Sequence, residues 1–102
     1  MLNLTKDNFE KEIKKGKIIV DFWAEWCGPC KMLGPVFEGL SEEMKGIKFA
    51  KVNVDENEDV SGKYGIRGIP CMICFKDGKE VDRIVGALPK DALKAKIEGI
   101  FK

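Results

Sequence analysis

The chain has 102 residues, enough for one domain, read here as residues 1–102, because domains usually run to about 100–150 residues. Its 44% hydrophobic content excludes a disordered chain. Lys and Arg total 18 against 17 Asp and Glu, a formal net charge of +1 with the signs mixed, so no basic block awaits a nucleic acid.

Met1 to Lys6 lacks a charged segment followed by an apolar run, so no signal peptide is expected. Thr5 is the expected N-cap of a first helix over Lys6–Lys15, with Leu4 and Phe9 as its hydrophobic staple and Gly16 as its stop. The densest charge, from Lys11 to Lys17, lies at the end of this helix and reads as a solvated face. Ile18 to Trp23 is an unbroken apolar run except for Asp21, the pattern of a strand covered on both faces. After Cys27, apolar side chains recur at Cys30, Leu33, Phe37, Leu40 and Met44, offsets of three and four that mark an amphipathic helix. Pro35 lies inside it and predicts a kink. A second buried strand is expected over Phe49–Val54, a weak helix over Asn57–Tyr64 and a third strand over Ile69–Phe75. Asp77-Gly78 then turns the chain into Glu80–Val85, closing a hairpin. Pro89 opens a last helix with Leu93, Ile97 and Ile100 inward. The strand-helix-strand unit implies a parallel pair with a right-handed crossover, and the hairpin implies antiparallel neighbours.

No apolar stretch approaches the roughly 18 residues of a membrane span, so a cytoplasmic protein that does not touch membranes is expected. Four cysteines in such a chain point to reactive or metal-binding thiols rather than a disulfide framework. Histidine is absent, which removes Ser/His and Cys/His catalysis and every His-containing metal site.

Trp26-Cys27-Gly28-Pro29-Cys30-Lys31 falls where a strand gives way to a helix. Residues three apart on a helix have Cβ atoms about 5–6 Å apart, and a disulfide needs about 3.5–4.5 Å. The first turn closes that gap with little adjustment. Cys27, at the helix N-terminus, meets unpaired N–H groups and the positive dipole end, so its thiol pKa is expected to be lowered and its sulfur exposed. Cys30, one turn in, is expected to be buried. A redox pair is the leading reading; half a zinc site or plain packing is the alternative.

Asp21 interrupts a buried strand just before this pair. Desolvation raises a buried carboxyl, which makes Asp21 a candidate to take the Cys30 proton, with Lys51 of the next strand as its partner. A structural ion pair is the competing reading. Trp23 is read as packing.

The segments from Asp21 to Lys31, Phe49 to Asp55, Tyr64 to Pro70 and Val85 to Leu88 resemble, in order, those of the thioredoxin family, and the likeness spans nearly the whole chain. It implies an α/β fold with a five-stranded mixed sheet flanked by four helices. It also implies reduction of protein disulfides by exchange at Cys27 and Cys30, which close as a disulfide, with Asp21 and Lys51 in support. Clients would be disulfide-bearing proteins, a thioredoxin reductase would recharge the pair, and the protein would act as a monomer without cofactor or metal. By the same resemblance Pro70 is a cis-proline facing the pair, and Ile69 offers its backbone to the client chain. Trp26, Gly28, Pro29, Gly68, Ile69, Val85, Gly86 and Ala87 match the family's docking surface; turn chemistry and packing are their plainer reading.

Cys71 departs from the family, which usually has a hydroxyl residue there, and Cys74 completes a second Cys-X-X-Cys. In a strand these two point to opposite faces and cannot bridge. A zinc site built from both pairs is not expected, because their separation far exceeds the roughly 15–20 residues of a zinc ribbon. Cys74 reads as a small buried hydrophobe, and Cys71 as a thiol that could lie near the active pair and regulate it. Besides a reductase, the alternatives are an oxidase or isomerase, against which Gly28-Pro29 and the missing histidine weigh, and a binding module with incidental thiols.

Overall fold

The computed structural model describes residues 1–102. In chain order its elements are β1 Leu2–Asn3, α1 Phe9–Ile13, β2 Lys17–Trp23, α2 Gly28–Glu43, β3 Lys48–Asn53, α3 Glu58–Lys63, β4 Cys71–Lys76, β5 Lys79–Val85 and α4 Lys90–Ile100. The strands make one mixed sheet in the order β1-β3-β2-β4-β5. β2 and β3 are parallel, with Ile18 opposite Lys48 and Asp21 opposite Lys51, and α2 is the crossover between them. β4 runs antiparallel to both β2 and β5.

Side chains alternate along β2, which gives the sheet two apolar faces. Ile18, Val20 and Phe22 pack with Phe9 and Ile13 of α1 and Val60 of α3. Ile19 packs on the other side with Leu33, Phe37 and Leu40 of α2 and Leu93 and Ile97 of α4. Cover on both faces is why the strand reads as an apolar run. Asp21 and Trp23 share the Ile19 side, the side of α2.

The first helix is shorter than its sequence pattern. The Thr5 N–H donates to Asn8 Oδ1 at 2.7 Å, and the Asp7 N–H donates to Thr5 Oγ1 at 3.2 Å. These local bonds hold residues 5–8 as a turn and move the N-cap to Asn8. Beyond Ile13 the chain is drawn off the helix axis because Gly16 exchanges two bonds with Asp77, its N–H to Oδ1 at 2.8 Å and its carbonyl from the Asp77 N–H at 2.9 Å. The staple residues Leu4 and Phe9 are both buried in one core.

The other differences are also local. β1 is two residues long, too short for a periodic pattern, and is defined only by its pairing with Ala50 and Lys51. β4 starts at Cys71 rather than Ile69, because Pro70 has no N–H to give to a ladder; the Ile69–Pro70 bond is cis. Phe101, outside the expected Leu93/Ile97/Ile100 stripe, is buried, and Ile100 is half-buried. Asp77 and Gly78 both have positive φ, 51° and 88°, as a tight hairpin turn requires.

Candidate functional site

Cys27 is the N-cap of α2, and Pro29 sits in the helix's first turn, where its missing N–H costs nothing. Cys27 and Cys30 form a disulfide with Cα atoms 5.2 Å apart. The Cys30 N–H, which a helix start would otherwise leave free, donates to Cys27 Sγ at 3.2 Å. The same donor would serve a thiolate, and with the helix dipole it favours negative charge on that sulfur.

The pair is more covered than the sequence suggests. Cys30 is 4% exposed, as expected, but Cys27 is also only 4% exposed. The bond turns its sulfur toward Cys30, and Trp23, Val54 and Ile69 pack around the two cysteines and Ala24. Besides the Cys30 N–H, the Ile69 carbonyl oxygen lies 3.9 Å from this sulfur.

Residues from three further loops meet here. Pro70 is buried behind the cis bond, and its carbonyl accepts the Gly86 N–H at 2.8 Å, which ties the loop after β5 to the one before β4. Gly86 has φ of +97°, so a side chain there would strain the backbone. A Cβ on Gly68 would lie 3.7 Å from Val85 Cγ1, so these two also adjoin. Trp26 is 71% exposed and Val85 65%, large values for apolar side chains beside a buried disulfide. Gly28, Pro29, Gly68 and Ala87 are exposed, while Ile69 and Gly86 are half-buried. The Ile69 N–H and carbonyl make no backbone hydrogen bond.

Two contributors escaped the sequence reading. Asp55 accepts the Trp26 Nε1–H at 2.8 Å and fixes the exposed indole over a hollow shared with Val54, Ile66 and Ile69. Met32 is 74% exposed on α2 just beyond the pair. Its place off the Cys30/Leu33/Phe37/Leu40 stripe was the available signal; nothing local in sequence announced Asp55.

Asp21 is fully buried, and neither carboxyl oxygen has a hydrogen-bond partner. Burial pushes its pKa up from 3.8 to about 7, and the positive charge of Lys51 pulls against that rise. Lys51 acts on Asp21 through its charge and not through a closed ion pair. It makes no ion pair with Asp21, and its Nζ lies 4.7 Å from the centroid of the Trp23 ring. Closing the pair would strip an ammonium of water beneath α2, at several kcal/mol, whereas a ring face returns about 0.5–2 kcal/mol at a half-buried position.

The second cysteine pair takes no part. Cys71 is buried in the core beneath α1 and α3, and Cys74 in the core beneath α2 and α4, on opposite faces as expected. Cys71 is therefore not among the groups around the disulfide, because strand alternation turns it to the far side of the sheet. No three Cys, Asp or Glu side chains are grouped as metal ligands would be.

Comparison with known proteins agrees with this geometry. The family profile described as Thioredoxin matches residues 1–99. A thioredoxin of Chlorobaculum thiosulfatiphilum is 53% identical over 97 residues, covering 92% of this chain and 90% of that protein. One from Pseudomonas aeruginosa is 47% identical over 98 residues, covering 93% and 91%. Among solved structures, thioredoxin of Plasmodium falciparum superposes with a TM-score of 0.91 at 39% identity, over 97% of this chain and 98% of that one.

Proposed function

Because the chain belongs to the thioredoxin family, we propose that it reduces protein disulfides with Cys27 as the attacking sulfur and Cys30 as the resolving one. The observation that carries this reading is the Cys27–Cys30 disulfide at the N-terminus of α2, beside the unpaired backbone of Ile69. In the reduced protein the helix end favours a Cys27 thiolate. It attacks one sulfur of a client disulfide, and the client's other sulfur leaves as a thiolate. Cys30 then passes its proton to the Asp21 carboxylate and attacks Cys27 Sγ. That displaces the client's second thiolate and restores the Cys27–Cys30 bond, so the client gains two electrons and the protein loses two.

The client chain lies along Ile69 as an added strand, using the free N–H and carbonyl, with Trp26, Gly28, Pro29, Gly68, Val85, Gly86 and Ala87 as its apolar surroundings. Pro70 closes the base of that surface. Lys51 tempers the charge on Asp21 from the neighbouring strand. A thioredoxin reductase returns the electrons, and the protein works as a single chain in the cytoplasm, where thiols stay reduced. No helix is long and apolar enough to cross a membrane.

An assay of disulfide reduction with Cys27→Ser and Cys30→Ser tests this. Each variant is expected to lose turnover by about 10³-fold or more, and only Cys30→Ser should accumulate a covalent client adduct. Turnover surviving in either variant, or adduct on Cys27→Ser instead, rejects the assignment.

A further inference from the structure

Three buried polar atoms on the α2 side of the sheet have no hydrogen-bond partner: Asp21 Oδ1, Asp21 Oδ2 and Trp23 Nε1. They belong to residues two apart on β2 and so share a face. Lys51 stands beside Asp21 across the β2–β3 ladder, and its ammonium rests on the Trp23 ring rather than on the carboxyl. Across the sheet Asp21 has Met72 of β4 on one side and Lys51 of β3 on the other, and the buried residues that α2 and α4 turn toward this face, Leu33, Phe37, Leu40, Leu93 and Ile97, are all uncharged. Lys51 is thus the single charge that acts on the acid.

We infer that Trp23 is a positioning residue whose indole face tethers the Lys51 ammonium at a fixed stand-off from Asp21. The acid keeps a positive neighbour but is not locked into a closed ion pair, which would hold it permanently ionised. A lysine released at a half-buried strand position extends into water, where its charge is hydrated and its side chain regains rotamer freedom. Water then screens it from the carboxyl. Trp23 also packs against the cysteine pair, so one ring fixes both the charge and the wall of the site. The inference rests on the reading of Asp21 as the acceptor of the Cys30 proton.

The test is the Asp21 titration midpoint, read from its carboxyl carbon by NMR in the oxidised protein. Trp23→Leu and Lys51→Met are each expected to raise it by about one pH unit, and the double variant no further than Lys51→Met alone. The Lys51 side-chain protons should lose their ring-current shift in Trp23→Leu and keep most of it in Trp23→Phe, which retains a weaker face. Trp23→Phe should also move the midpoint less than Trp23→Leu. A midpoint that falls or stays put in Trp23→Leu, shifts that add in the double variant, or a Lys51 signal indifferent to Trp23 would each overturn the tether. Should Trp23→Leu not fold, the same cycle run with Trp23→Phe decides the matter by whether the two shifts couple. An Asp21→Asn variant with normal Cys30 kinetics removes the proton-acceptor role while leaving the tether, which is read on the carboxyl itself.

Discussion

Asp21 sits with both oxygens unpartnered, and burial lifts its pKa to about 7 even against the pull of Lys51. Near neutrality it exists as a mixture of acid and carboxylate, the condition in which a side chain accepts and returns a proton most readily. The rate at which Cys30 resolves a mixed disulfide should therefore rise between about pH 6 and 8. Asp21→Asn should slow that step by about 10²-fold at pH 8 and flatten the rise. Single-turnover release of reduced client from the reduced protein measures it. An asparagine variant with the same rate and the same pH profile would leave Asp21 with no kinetic role. Trp26 makes a related point, since its exposed indole is useful to a client only where it is held, and the bond to Asp55 holds it.

Strands and helices sort the four cysteines into two kinds. The start of α2 puts Cys27 and Cys30 within bonding reach, while β4 sends Cys71 and Cys74 into separate cores. Burial raises the Cys71 pKa, with nearby Arg83 opposing, and pushes Cys74 up to about 12, with Asp82 and Glu80 adding to the effect. Both are neutral thiols at pH 8, shut away from reagents. In the folded, oxidised protein a thiol-specific alkylating agent at pH 8 should therefore modify neither, and denaturant should expose both. Alkylation of Cys71 before unfolding would mean that β4 opens locally at its Pro70 end.

For the molecule as a whole, the buried acid sets a direction for stability against pH. Asp21 has the ordinary aspartate pKa of 3.8 when the chain is unfolded and a pKa of about 7 when it is folded. Below about pH 4 both states hold the proton, and its contribution is flat. Between about pH 4 and 7 the folded state binds more protons than the unfolded one, so stability falls as pH rises. Above about pH 7 both states are ionised and the full cost, up to roughly 4 kcal/mol, is present. Asp21→Asn should thus stabilise the oxidised protein by about 2–4 kcal/mol at pH 8 and by little at pH 4, as measured by urea unfolding. Equal effects at the two pH values would show that the carboxylate is not the source.

Much of this architecture is legible along the chain because apolar periodicity, turn chemistry and cysteine spacing are local properties. The run at Ile18–Trp23, the Cys30-to-Leu40 stripe and Asp77-Gly78 each become the element their residues imply, and the run at Ile69–Phe75 does so from Cys71 onward. The family's segment order, also readable without coordinates, supplied the count of five strands and four helices, while the active pair followed from the cysteine spacing itself. What stayed hidden depends on partners far away in sequence. Gly16 meets Asp77 and cuts α1 short; Asp55 meets Trp26; β1 exists only through Ala50 and Lys51. The clearest case is Lys51, whose place beside Asp21 follows from strand order, but whose ammonium settles on Trp23. That choice turns on the balance of desolvation against ring contact, which is decided only when three side chains share one covered face.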